Sequence, residues 1–119
     1  MARVLVHIHT GPRDPTKAAL GLLVALSACK RGDEVSLFLA GDAVHPLSQD
    51  HADVTGTGTG RVGDHLEGLK AAGARFRLSG MSAKARGYDE SLLDGYDAEY
   101  GMPEVLLALT DEAETVLCY

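Results

Sequence analysis

The chain has 119 residues and a formal net charge of −6, with 45% hydrophobic and 24% charged residues. This length indicates one domain, residues 1–119, that buries roughly two-thirds of the surface of its unfolded chain. The acidic balance and scattered basic residues argue against nucleic acid or an anionic membrane as a partner, because both need a basic surface.

Cysteine usage and hydropathy indicate a cytoplasmic protein. Cys29 and Cys118 have no metal-type spacing, and two cysteines do not make a disulfide scaffold at this length. The N-terminal run MARVLVHIHTG is too short and too polar for a signal peptide. We also expect no membrane-spanning segment, since the longest apolar run has about half the length that a span requires.

The first third of the chain predicts a buried strand, a helix and a second buried strand. Asp14 is suited to the N-cap of the helix, Pro15 to its first turn, and Gly32 to its end. The apolar residues of the helix cover most of its circumference, so we expect it to be covered on more than one side. The three predicted elements are strand 2–9, helix 16–31 and strand 34–41.

The remaining sequence alternates between helical and strand patterns. We expect Asp64 to cap one helix, Gly73 to end it, and Pro103 to open the last helix. The polar, glycine-rich segment 48–64 lacks periodicity and predicts a mobile loop. The predicted elements are a helical turn at 42–47, helix 64–74, strand 75–80, a short helix or turn before Gly87, an irregular segment 89–101 with one helical turn, helix 103–113 and strand 114–119.

This alternation predicts an α/β fold with a parallel sheet and helices on both faces. In such a fold the functional edge lies at the carboxyl ends of the strands. Three segments are expected to meet there: HIHTGP, LAGDAV and LSGMSAKARG.

These segments, together with LFLAGDAV, the Arg86-Gly87 pair and the ending VLCY, resemble the DsrE/DsrF-like family along nearly the whole chain. The similarity is greatest to its YchN-type members. The resemblance implies a DsrEFH-like, three-layer α/β/α fold with a mostly parallel sheet of four to five strands, assembled as a homotrimer or homohexamer. Several relatives carry sulfur as a cysteine persulfide in sulfur relay, and many others have no established role.

The chain departs from this pattern at the turn before Arg86-Gly87. YchN-like members commonly carry a Cys-x-x-Cys pair there, and the alignment places Ser79 and Ser82 at those positions. Persulfide transfer requires a thiolate, and a hydroxyl ionises far less readily than a thiol of pKa about 8.5. We therefore expect a ligand-binding or partner-binding protein that lacks the reactive thiols, with sulfur-relay proteins as candidate partners.

An enzyme is the alternative, either a hydrolase or a transferase that acts on a small anionic substrate with Ser79, Ser82 or His9 as the catalytic group. Such a nucleophile needs a base and an oxyanion site. The sequence has no Gly-x-Ser-x-Gly elbow here, and Lys84 lies two residues from Ser82, where helical side chains do not face each other. Capping of the short helix by these hydroxyls is the favoured interpretation.

Five residues at the same edge are candidates for ligand binding. Arg86 has a guanidinium that suits a carboxylate or phosphate, although a solvated surface ion pair is the commoner role. His9 lies near the carboxyl end of its strand, and the GPRDP segment could present the Gly11 amide. Asp42 and Gly80 follow the second and third strands.

No metal and no cofactor are expected. His7 and His9 share a strand face and could bind a metal with His45, but the sequence offers no ligand set at a diagnostic spacing. The glycine-rich run 55–60 lacks the phosphate-loop pattern and is interpreted as a linker or as a lid over the pocket.

The remaining cysteines, histidines and tyrosines have structural interpretations. Cys29 and Cys118 are expected to pack in the core as small apolar side chains. His51 and His65 are expected at the surface. Half-buried loop positions are the favoured interpretation for Tyr88, Tyr96 and Tyr100, which could also line a pocket or a subunit contact.

Overall fold

The computed structural model describes residues 2–119, which form the α/β fold that the sequence predicts. Short 3-10 helices at Gly41–Leu47, Gln49–His51 and Glu90–Leu93 lie between the main elements. The main elements are β1 (Arg3–Ile8), α1 (Pro15–Lys30), β2 (Glu34–Leu39), β3 (Thr55–Gly56), β4 (Gly60–Arg61), α2 (Val62–Ala71), β5 (Arg75–Ser79), α3 (Gly80–Ala85), β6 (Ala98–Gly101), α4 (Pro103–Glu112) and β7 (Thr115–Cys118).

A five-stranded sheet in the order β6-β5-β2-β1-β7 forms the centre of the molecule, and every neighbouring pair in it is parallel. Alternate strand residues such as Val6, Leu37 and Phe76 point to one face and pack with α1 and α2 into the main hydrophobic core. Helix α4 packs on the opposite face, beside Leu5 and Ser36. Helices therefore lie on both faces, and the predicted three-layer arrangement is confirmed.

The local chemistry of α1 is as the sequence predicts. The Asp14 carboxylate accepts a hydrogen bond of 3.1 Å from the Lys17 amide, Pro15 opens the helix, and Gly32 follows its end with φ +94°. This left-handed conformation suits glycine because it has no Cβ. Within residues 2–119, no helix has the length and apolar character needed to cross a membrane.

The α4 face of the sheet is covered more thinly than the core face. None of the α4 residues is buried, although half of the helix is apolar. Leu107 is 64% exposed, Met102 before the helix is 47% exposed, and Val116 in β7 is 41% exposed. Together they give the molecule an apolar surface, which we call the α4–β7 surface.

Segment 48–64 differs most from its prediction. It contains a 3-10 helix and the antiparallel hairpin β3–β4, so the expectation of an irregular loop was wrong. The hairpin packs on the start of α1: the Thr57 amide donates to Thr16 Oγ1, and the Thr59 hydroxyl donates to the Thr16 carbonyl, both at 3.0 Å. These contacts hold run 55–60 against α1, which argues against its being a lid.

Two other predicted boundaries were wrong. Helix α2 begins at Val62 with Arg61 as its N-cap residue, so Asp64 lies in the first turn and does not cap the helix. The segment 89–101 is not irregular throughout, because it ends in strand β6, which pairs with β5 at the sheet edge.

Candidate functional site

The turns that follow β2 and β5 are joined through the two serines. Ser82 Oγ accepts a hydrogen bond of 2.8 Å from the Gly41 amide, and Ser79 Oγ accepts one of 3.2 Å from the Ser82 amide. Ser79 is thus the N-cap of α3, which confirms the capping interpretation for this residue. Gly41 has φ +58°, a conformation that other residues adopt only under strain.

An ion pair joins the same two turns. Arg86 Nε and Nη2 donate to one Asp42 oxygen at 3.1 and 3.0 Å, and Arg86 Nη1 donates to the Ser82 carbonyl at 3.0 Å. The hydrogen bond from Arg86 is the main reason that the pKa of Asp42 is lowered. All three guanidinium nitrogens therefore bind the protein itself, which leaves few Arg86 donors for an external anion.

The two glycines predicted to bind a ligand have different surroundings. A Cβ at Gly11 would lie 2.2 Å from the Asp42 carbonyl oxygen, so only glycine fits between the first loop and the turn after β2. A Cβ at Gly80 would lie 3.6 Å from the Tyr100 Cβ, which is an ordinary contact distance. Gly11 therefore has a packing role at this edge that Gly80 does not share.

His9 lies at the carboxyl end of β1 and is exposed. Its amide donates to the Tyr119 carbonyl at 2.9 Å, and its ring lies edge-on to that of His7 with 5.6 Å between centroids. Burial lowers the pKa of His7, and the neighbouring His9 lowers it further. His9 is therefore accessible to a ligand at this edge.

His45 lies with a different group of side chains. Its Nδ1 is 2.7 Å from the Tyr88 hydroxyl, and its ring centroid is 5.1 Å from that of His51. His45 Nε2 is 3.9 Å from an Asp42 oxygen. Burial is the main reason that the pKa of His45 is lowered, and His51 adds to the effect.

In the part of the chain that the structure describes, no three His, Cys, Asp or Glu residues are placed to hold a metal ion.

This polar group, which we call the His45 cluster (His45, His51, Tyr88 and Asp42), was not predicted. His51 Nδ1 is buried without a hydrogen-bond partner among residues 2–119. His45 and His51 lie six positions apart, one in the predicted helical turn and the other in the aperiodic segment that follows it, so spacing gave no signal for their contact.

Neither cysteine is fully buried, so the expectation of core packing was wrong for exposed Cys118 and only partly met by half-buried Cys29. Burial raises the pKa of the Cys29 thiol. Cys118 pairs with His7 in β7, which is three strand positions from β5 in the sheet. At about 4.8 Å per position, its backbone is roughly 14 Å from that of β5.

His65 was expected at the surface and is instead buried. Its Nε2 lies 2.7 Å from the Thr59 carbonyl oxygen, so this histidine helps to hold the β3–β4 hairpin against α2.

A further concavity lies elsewhere on the molecule, between α2 and two of the connecting segments. Its volume is about 780 Å³. We call it the α2 groove and define it by residues 46–53, 61–70 and 87–96, parts of which line it. None of the residues predicted to be catalytic or ligand-binding lines this groove. Tyr88 and Tyr96 were expected as residues that could line a pocket, and both lie here, but the groove as a whole was not predicted because its walls come from three separate segments.

Comparison with known proteins was made at the level of families and of structures. The family model described as the DsrE/DsrF-like family matches residues 2–119. The chain belongs to the DsrE/DsrF-like family. A search of the curated proteins found no match for this DsrE/DsrF-like chain.

Solved structures share the fold of this DsrE/DsrF-like protein. The YchN protein from E. coli is 23% identical, with a TM-score of 0.83 and coverage of 100% of both chains. Protein MTH1491 from Methanobacterium thermoautotrophicum, described as of unknown function, is 16% identical with a TM-score of 0.67 and coverage of 100% of both chains. Protein BT1422 from Bacteroides thetaiotaomicron, also of unknown function, is 15% identical with a TM-score of 0.69, over 99% of this chain and 95% of the other.

The geometry limits what the serines of this DsrE/DsrF-like protein can do. Within residues 2–119, the hydrogen bonds formed by the Ser79 and Ser82 hydroxyl oxygens are those accepted from backbone amides. Neither hydroxyl is hydrogen-bonded to an imidazole, carboxylate or amine that could act as its general base in the described chain. Both serines connect backbone segments, which is a structural role.

Proposed function

We propose that this protein is a cytoplasmic, homo-oligomeric binding protein built on a scaffold of the sulfur-relay type, and that its turn 79–82 carries no persulfide sulfur. The observation that carries the proposal is the use of Ser79 and Ser82 as acceptors for backbone amides. In this role the two hydroxyls stabilise the edge where β2 and β5 end. The proposed activity is the binding of a small ligand or a protein partner, with sulfur-relay proteins as candidates.

The chemistry of oxygen supports the absence of a persulfide at this turn. A persulfide forms when a thiolate attacks sulfane sulfur, and a serine hydroxyl offers no comparable nucleophile near neutral pH. The hydrogen bonds also argue against the enzyme alternative, because an activated serine needs a base in contact with its oxygen. Arg86 also has a structural role at this edge, since its N–H groups donate to the Asp42 carboxylate and to the Ser82 carbonyl.

A sulfur-loading experiment tests this proposal. The protein is treated with inorganic polysulfide, alkylated, and examined by peptide mass spectrometry. We expect no sulfur adduct within residues 75–88 of the natural sequence. The double variant Ser79→Cys/Ser82→Cys tests whether the same turn accepts sulfur once it carries two thiols.

A variant without thiols, Cys29→Ala/Cys118→Ser, is the matched control. If the natural protein transferred sulfur to an acceptor protein and this control did not, a native thiol would be the carrier and the proposal of a binding protein would fail. If the control itself transferred sulfur, the chemical argument against the serines would be wrong.

The α4–β7 surface supports homotrimer or homohexamer assembly. Exposed Leu107 and Val116 would bury apolar area against a second copy, and each Å² removed from water contributes about 25 cal/mol. Sedimentation velocity at micromolar concentration should give a trimer or hexamer. Leu107→Lys should shift the protein toward monomer, whereas Ala71→Lys, at an exposed α2 position, should not. A natural protein that sediments only as a monomer would contradict the assembly.

A further inference from the structure

The α2 groove has the size of a ligand site and an apolar floor. Its volume of about 780 Å³ lies within the range of roughly 300–1,000 Å³ that is typical of small-molecule sites. Leu47, Leu66 and Leu92 line it and are at most 8% exposed. Half-buried Tyr88 and Tyr96 also line it and add aromatic surface. Because the leucines are almost fully buried, the apolar surface that the methylene groups of a ligand would contact comes mainly from the two tyrosine rings above them.

The charges around the groove favour a cation. Four carboxylates and two basic side chains line it. One of the basic side chains, Arg61, is already bound by Asp53 at 2.9 Å and by Asp64 at 2.8 Å. The lining therefore has an excess of negative charge, within a protein whose net charge is −6. The four carboxylates are those of Asp53, Glu67, Asp89 and Asp94.

The other basic side chain shows how an ammonium group fits the groove. Lys70 Nζ lies 4.5 Å from the centroid of the Tyr96 ring and 3.4 Å from Glu67 Oε1. An aromatic face and a carboxylate are the two partners that an organic cation requires. Lys70 is held by one weak ion pair and by the Tyr96 face, at the end of a flexible side chain, so a ligand ammonium could take its place.

We propose that the α2 groove binds a linear aliphatic polyamine. Its ammonium groups would pair with the carboxylates of the lining and with the Tyr96 face, and its methylene chain would lie on the apolar floor. Several charges separated by methylenes match this lining better than a single compact cation does. The proposal goes beyond the function proposed above and does not depend on it, since none of the candidate residues at the carboxyl edge lines the groove.

Calorimetric titration of the full chain with spermidine tests the proposal, and backbone amide NMR shifts map the site. We expect binding that weakens with added salt, with the largest shifts in 66–70 and 87–96. Glu67→Gln/Asp94→Asn should weaken binding about two- to thirty-fold, because each exposed ion pair contributes a factor of roughly 1.4 to 5. Lys70→Met should strengthen it about three-fold by vacating the Tyr96 face.

Matched probes and variants separate this site from general charge attraction. Asp111→Asn/Glu112→Gln removes two carboxylates from α4, outside the groove, and should leave the spermidine affinity unchanged. 1,5-Pentanediol and glutarate are linear molecules that carry hydroxyls or carboxylates where an aliphatic polyamine carries ammonium groups. Neither compound should bind. The proposal is overturned by absence of spermidine binding, by equal losses in the two double variants, or by glutarate binding in the groove.

Discussion

Replacement of Gly11 by alanine tests the packing of the carboxyl edge directly. The new Cβ would lie 2.2 Å from the Asp42 carbonyl oxygen and 2.6 Å from its carbonyl carbon. These are backbone atoms, so they cannot rotate away as the end of a flexible side chain can. The first loop must therefore separate from the turn after β2, which also carries the Asp42 partner of Arg86.

The magnitude follows from two contributions. Overpacking at a buried position costs about 1–3 kcal/mol, and each weakened hydrogen bond adds about 1 kcal/mol. We expect Gly11→Ala to lower the free energy of unfolding by about 3 kcal/mol and the melting temperature by roughly 10 °C. Gly80→Ala is the matched control, because its Cβ has an ordinary contact at 3.6 Å. It should be neutral or stabilising by up to about 1 kcal/mol, since alanine favours helix.

Urea unfolding followed by far-UV circular dichroism measures both variants. The two variants carry the same chemical change, glycine to alanine, at the same edge of the sheet. Their free energies of unfolding should nevertheless differ widely. A Gly11→Ala protein within about 0.5 kcal/mol of the natural one would refute the close contact between the first loop and Asp42. Equal destabilisation by Gly80→Ala would show that the two sites do not differ as the structure requires.

Three further predictions concern single side chains. Ser82→Ala leaves the Gly41 amide without its acceptor and should lower the free energy of unfolding in urea by about 1–3 kcal/mol; an unchanged value would contradict the bond. Because the pKa of His45 is lowered, the unfolded chain binds its proton more readily, so stability should be full above about pH 6.5 and fall as the pH drops from there toward the lower folded pKa. Thermal melts across this range should show a weaker pH dependence in His45→Gln. Iodoacetamide should label Cys118 faster than Cys29, whose pKa is raised by burial, and equal rates by peptide mass spectrometry would contradict this exposure difference.

The fold was predictable where local chemistry and burial agree. Strand β1 and helix α1 have strong apolar patterns, and Asp14, Pro15 and Gly32 mark the helix ends. Strand β6 was missed because its four residues, AEYG, are half-exposed at the sheet edge and contain no apolar run. Its pairing with β5 stabilises a segment that its own sequence does not identify as a strand.

The sequence predicted where the candidate site lies, but it did not predict which of its side chains contact each other. Parallel topology brings the turns after β2 and β5 to one edge, which is why Asp42, Ser82 and Arg86 were candidates. The hydrogen bonds from the Gly41 amide to Ser82 and from Arg86 to Asp42 join residues 41 and 44 positions apart. No spacing rule covers such distances, so the sequence could not show that these side chains bind each other and not a ligand.

The position of β1 between β2 and β7 has a consequence for the order of folding. At the start of β1, the Ala2 amide bonds to Asp33, 31 residues away, whereas the Arg3 amide bonds to Glu114, 111 residues away. Closing the longer loop costs more entropy before any contact compensates for it. The β1–α1–β2 unit should therefore form early, and the edge of β1 that pairs with β7 should stay unpaired until β7 has docked. During synthesis on the ribosome, that delay leaves an unpaired strand edge exposed while the intervening chain is made.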